Sequence, residues 1–166
     1  MNKIISCLYI AILLVFTSCA TEPIEETIDS TWRLTAWNLD ISMDLNGDGI
    51  FSLNLLDEIT CSSNEELVFN KQGAVVSNNT FNPEVNVVFD KFSKDYHVNV
   101  ECDTEGNIGM AANYMLSGDK IIFNNKAATI KGDELIMVFK GAVNVYNQDL
   151  TQVIEEKDIT LVYHKQ

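Results

Sequence analysis

From Tyr96 to Cys102 every second residue is apolar: Tyr96, Val98, Val100 and Cys102 alternate with His97, Asn99 and Glu101. Side chains of an extended chain point alternately to opposite faces, so this stretch has one face for a core and one for water. Ile159, Leu161 and Tyr163 alternate with Thr160, Val162 and His164 in the same way. Less regular β-rich runs occupy 31–39, 66–69, 74–77, 85–92, 110–116, 120–123, 127–131, 134–139 and 142–146. Turn chemistry separates them: KQG, SNN, NP, TEGN, SGD, NN, KGD and YNQD. MLSGDKIIF reads as a tight hairpin in which Gly118 takes positive φ, and ATIKGDELIMVF as a second one through Gly132. No long stretch carries helical periodicity. One short helix is expected near 54–60, where Asn54 can cap and Asp57 and Glu58 fall in the first turn, the end at which the helix dipole favours acids. About eight to ten short strands at hairpin spacing give an antiparallel barrel or sandwich. The sequence shows no internal repeat.

The N-terminal residues follow another logic. Lys3 precedes an apolar run over 4–16, interrupted by Ser6, Cys7 and Tyr9. The run falls short of the ~20 apolar residues of a membrane span and suits the h-region of an export signal. It ends in Phe16-Thr17-Ser18-Cys19, which resembles a bacterial lipobox: small residues, then the cysteine that is lipidated and becomes the mature N-terminus. Phe16 stands where Leu is usual. The expected organisation is a lipoprotein signal peptide over 1–18, an acidic tether over 19–29 that includes ATEPIEET, and one β-barrel domain over 30–166. The alternative is an ordinary secretory signal with a chance cysteine.

That domain is long enough to bury a real core. Lys3 is the one charged residue of the leader, so its removal takes the formal charge of −13 one unit further negative. Such a chain is repelled by nucleic acid and by anionic headgroups. No nucleic-acid partner is expected, and membrane attachment would rest on the lipid at Cys19. With Cys7 lost and Cys19 acylated, Cys61 and Cys102 remain, and in an oxidising compartment they are expected to pair. The alternative is two buried thiols.

STWRLTAW, at 30–37, sets a tryptophan on the first strand as lipocalin-type barrels do, with Ser30 where a glycine is usual. Then come DLNGDG…NLLDE…C and EELVFNKQG. The combination, over 32–73, is similar to the bacterial lipocalin-like domain lipoproteins. In those, an Asp/Asn loop and an LLDE segment lie between the first two strands, followed by a Cys and a Phe-x-x-x-Gly hairpin. The resemblance implies an all-β fold, a small antiparallel up-and-down barrel of about eight strands, with one short helix in the first inter-strand connection. It adds fold and location more than activity.

The stretch DLNGDGIFSLNLLDE, 44–58, begins like a calcium loop. Calcium takes six to eight oxygens on a backbone that reverses sharply. Asp44, Asn46 and Asp48 stand at alternate positions, Gly49 follows, and Ile50 would offer its carbonyl, which matches D-x-[DN]-x-[DN]-G. The twelfth position, where a bidentate acid belongs, is Leu55, so a helix-loop-helix calcium hand is not expected. A helical turn from Asn54 could bring back Glu58, the longer side chain, or else Asp57. The expectation is a structural Ca²⁺ that pins the connection and activates no water. The alternative is a solvated Asx/Gly turn.

No other residues assemble a recognisable reaction. His97 and His164 fall on polar strand faces, without a Ser or Cys and an acid in triad order. Two scattered histidines do not make a zinc site, and no phosphate loop or nucleophile elbow is present. The acid pairs Glu25/Glu26, Glu65/Glu66 and Glu155/Glu156 read as tether or turn charges, and none is selected as a glycosidase pair. Most aromatics fall in the core by pattern. An eight-stranded barrel either fills with side chains or holds one small ligand, and a packed interior is the expectation here. The functional reading is a non-enzymatic, lipid-anchored protein of the bacterial cell envelope, on the periplasmic or surface face of the outer membrane, that binds a small apolar ligand or a partner protein. A purely structural or interaction module of an envelope complex is the runner-up, and a hydrolase the third reading.

Overall fold

The computed structural model describes residues 28–102 and 108–166. The leader, Cys19, most of the tether and the TEGN turn lie outside them. In chain order the elements are β1 (Ser30–Met43), β2 (Ser52–Asn54), α1 (Leu55–Glu58), β3 (Glu66–Phe69), β4 (Ala74–Thr80), β5 (Glu84–Asp90), β6 (Asp95–Glu101), β7 (Ile108–Ser117), β8 (Lys120–Phe123), β9 (Lys126–Lys131), β10 (Glu134–Tyr146) and β11 (Val153–Lys165). The expected all-β class holds. β1, β3, β4, β7, β8, β9, β10 and β11 pair in that order, every neighbour antiparallel, and β11 returns to β1. The result is a closed eight-stranded up-and-down barrel. The β5–β6 hairpin is inserted between β4 and β7 and leaves the ring. It pairs in parallel with the far half of β10, through Val145 with Val87 and Tyr146 with Val88.

Several expected elements merge or lengthen. The runs at 134–139 and 142–146 are one strand, β10, bent at Gly141, which takes φ +57° while the register slips between Phe139 and Val143. A glycine read as punctuation is here a bulge, because without a Cβ it enters the left-handed region freely. A second bulge explains the first strand. Trp32 and Leu34 point inward, the register slips between Leu34 and Ala36, and Trp37, Leu39, Ile41 and Met43 continue inward on the other parity. The bulge keeps one side of β1 apolar through the phase change. The hairpins at Gly118 and Gly132 form as expected, with φ +61° and +62°.

α1 is the only helix among the described residues. Asn54 caps it, its carboxamide oxygen accepting from Leu56 N–H (3.2 Å) and also from Trp37 N–H on β1 (2.9 Å). The helix is shorter than the expected 54–60 and ends at Ile59, whose backbone is extended.

The barrel has two unlike ends. At one, Tyr114 closes the wall: its hydroxyl accepts from Ile28 N–H (2.8 Å) and donates to the Asn70 carbonyl (2.8 Å). Trp32, Leu34, Phe69, Val75, Ile121 and Leu135 pack this closed pole. At the other, β1, β10 and β11 run on past the ring as an arm that carries β2, α1 and the β5–β6 hairpin. Tyr96 on β6 donates to Glu155 on β11 (2.8 Å) and lies under Lys157. Cys61 and Cys102 are bonded, with Cα atoms 5.5 Å apart. The expected disulfide therefore joins the connection after α1 to the end of β6.

Candidate functional site

The interior is not packed throughout, as the sequence expectation had it. Toward the open end the side chains part around a cavity of about 300 Å³, within the range of small-ligand sites. Trp37, Met137 and Leu161 form one row of its wall, since they are register partners on β1, β10 and β11. Leu67, Phe123 and Phe139 extend it, Thr80 at the end of β4 and Phe81 just after it add to the lining, and the exposed Asn82, Asn124 in the β8–β9 turn and Lys126 at the start of β9 make the rim. Asn124 and Asn125 build that turn with φ of 48° and 58°, a region Asn tolerates better than most side chains. Lys126 sets its ammonium 5.1 Å from the centre of the Phe139 ring. The lining is mostly apolar, with a few polar groups at fixed places.

Two polar groups of the lining, Glu65 and Tyr163, are themselves buried, at 4% and 2% exposed. The Tyr163 hydroxyl donates to Glu65 Oε1 (2.7 Å), and Phe81 N–H donates to Glu65 Oε2 (2.8 Å). Burial holds the Glu65 carboxyl above the ordinary glutamate range, and the two hydrogen bonds only partly oppose that. Tyr163 is pushed strongly upward by burial and then by the carboxylate beside it, so it stays a donor. Glu65 is therefore no turn charge, which corrects the sequence expectation. Its backbone carbonyl accepts from Leu34 N–H (3.0 Å), which sets Glu65 in phase with inward-facing Leu67 and Phe69. The signal was present: Glu65, Leu67 and Phe69 alternate, and the carboxyl occupies the inward position.

Within the 44–58 stretch, residues 44–51 fold as a tight loop from β1 to β2, and β2 and α1 take up the rest. Asp44 accepts from Gly47 N–H (2.8 Å) and Gly49 N–H (3.0 Å), Asn46 from Asp48 N–H (2.9 Å), and Asp48 from Ile50 N–H (2.7 Å). Asn46 also donates to the Asp57 carbonyl (3.2 Å), and the Asp57 carboxylate accepts from Ser52 (3.0 Å). Glu58 is buried and accepts from Leu45 N–H (2.9 Å). The structure thus brings Glu58 back to the head of the loop, while Asp57 faces Ser52. Among the described residues no three His, Cys, Asp or Glu side chains cluster at metal-binding spacing. His97 and His164 are exposed on strand faces, 3.8 Å from Asp90 and 3.5 Å from Glu134.

Comparison with protein-family models, with curated proteins and with solved structures finds no match.

Proposed function

We propose that this protein is a lipid-anchored, lipocalin-like binding protein of the bacterial cell envelope that holds a small apolar ligand and catalyses no reaction. The observation that carries the reading is the cavity of about 300 Å³ at the open end of a closed eight-stranded barrel. Its walls are mostly apolar, and the buried Glu65 and Tyr163 meet on its lining, the usual make-up of a ligand site. The runner-up, an interaction module of an envelope complex, draws on the arm, where Phe92 and Leu150 are 89% and 62% exposed.

Native mass spectrometry of the mature protein from its own host tests the first reading. The expected result is an acylated chain that starts at Cys19 and a non-covalent small-molecule adduct that is lost on unfolding. A chain with neither sends the assignment back to the runner-up.

A structural calcium ion on the 44–58 loop belongs to the same proposal. Asp44, Asn46, Asp48, the Ile50 carbonyl and Glu58 or Asp57 would hold it. Asp44, Asp48, Asp57 and Glu58 share a stretch with no Lys, Arg or His, and each carboxylate keeps lone pairs beyond those its N–H or O–H donors use. Calcium at about a hundred times its Kd would stabilise the fold by about 2.7 kcal/mol. A thermal melt should therefore move upward when calcium replaces a chelator, and an unmoved melt removes the ion from the assignment.

A further inference from the structure

Resting on the reading of the cavity as a ligand site, we infer that its ligand is an organic cation: a protonated amine on an apolar body, inserted head first against Glu65. The inference starts from a deficit of charge. Glu65 is buried on the lining of a mostly apolar cavity, and it takes part in none of the ion pairs among the described residues. Both of its oxygens accept from donors, Tyr163 O–H and Phe81 N–H, so the geometry is set for the carboxylate. Neither donor carries charge. A buried carboxylate without a cation is expensive, and proteins that keep one usually pair it. Here the open side of the pair is the cavity. A carboxylate has about four lone-pair sites, of which these bonds use two, so at least one stays free for a ligand N–H.

The surrounding groups agree. The other titratable groups on the lining are Tyr163 from β11 and Lys126 from the start of β9. β1, β3, β7, β10 and the β4–β5 connection add only neutral side chains besides Glu65 itself. Lys126 is exposed at the rim over Phe139 and makes no ion pair with Glu65. A carboxylate-headed ligand pushed against Glu65 would set two like charges together in a low dielectric. An alcohol would find an acceptor but leave the charge uncompensated. An ammonium head satisfies both the hydrogen bonding and the charge, and its N⁺–H···O⁻ bonds are the stronger kind. The alkyl body then lies along the row of Trp37, Met137 and Leu161.

The affinity should depend on pH through the carboxyl. An aliphatic amine stays protonated below about pH 10. Glu65 must lose its proton to pair with it, and burial has raised the pKa at which it does so. Amine affinity should therefore climb as pH rises through that raised value and then level off, while a neutral ligand shows no such rise.

The test is calorimetric titration of the purified domain with octylamine, octanol and octanoic acid between about pH 5 and pH 9, a window that spans a raised glutamate pKa. We expect octylamine to bind about tenfold or more tighter than octanol at the alkaline end, a margin of about 1.4 kcal/mol. Glu65→Gln should abolish that margin and flatten the pH profile while keeping octanol. Tyr163→Phe, which keeps the carboxylate, should retain the amine preference. The preference among the three probes and the pH profile are read on the unaltered protein, so they stand even where Glu65→Gln fails to fold. Octanoic acid binding best, or an amine preference that survives Glu65→Gln, overturns the cation assignment and leaves the cavity a ligand site. Binding of none of the three overturns the ligand-site reading itself.

Discussion

Reducing the Cys61–Cys102 disulfide should lower the melting temperature by roughly 10–15 °C. The bond closes a loop over a sequence separation of 41. In the chain-entropy treatment a loop of that length is worth about 4 kcal/mol, through the freedom it removes from the unfolded chain. The loss should also be local. The β5–β6 hairpin stands outside the ring, tied to β10 by two parallel register pairs and to the β10–β11 end by Tyr96 with Glu155 and Gln148 with Asp90. On its other side the disulfide is its covalent link to the β1–β2–α1 connection. Amide exchange in β5 and β6 should therefore accelerate before that of β3, β4 and β7–β9, which keep their antiparallel neighbours. A reductant that left both the melt and the exchange map unchanged would show that the arm is held by packing alone.

The sequence carried the fold wherever one strand had one buried face. β6 and the end of β11 alternate strictly, and both are strands over those residues. The start of β11 escaped because Val153, Ile154, Glu155 and Glu156 do not alternate and are all exposed. That segment is a strand because it pairs with β10 and carries the arm, a tertiary cause with no local trace. β2 escaped for a similar reason. Its three residues sit between a turn and a helix cap, and their strand character comes from pairing with β1. The hairpin glycines were legible because each is needed for its turn. Gly141 was not, since a breaker and a bulge look alike until the partner strand is known.

The loop at 44–58 was legible in part. Its polar residues do organise the turn, and Glu58 does return to its head, but the sequence had no means of saying that backbone amides occupy so much of the oxygen. The carboxyl at Glu65 was the largest miss. An acid next to another acid reads as surface, and only its phase with Leu67 and Phe69 separates it from Glu66, which is half-exposed and faces Arg33.

Replacing Phe69 by Ala should cost about 3–5 kcal/mol, as much as the disulfide, for a different reason. Phe69 is 1% exposed and lies at the centre of an aromatic trio: Tyr114 meets it edge-on at 5.2 Å and 77°, and Phe123 at 5.7 Å and 81°. Removing the ring deletes its burial and both edge contacts, and it leaves a void that a closed barrel cannot collapse to fill, since its wall is hydrogen-bonded all the way round. The trio also links the two halves of the interior. Tyr114 seals the closed pole against Ile28 and Asn70, while Phe123 forms part of the cavity wall. With Phe69 gone, Phe123 has room to drop inward and the cavity deepens toward the closed pole. Phe69→Leu, which keeps most of the volume, should cost under about 1.5 kcal/mol and leave the cavity as it is. Urea unfolding reads the stability and octanol titration reads the cavity. A Phe69→Ala protein that lost less than about 1 kcal/mol would mean that the packed half tolerates a hole, and that the partition into a filled base and a hollow mouth does not rest on this ring.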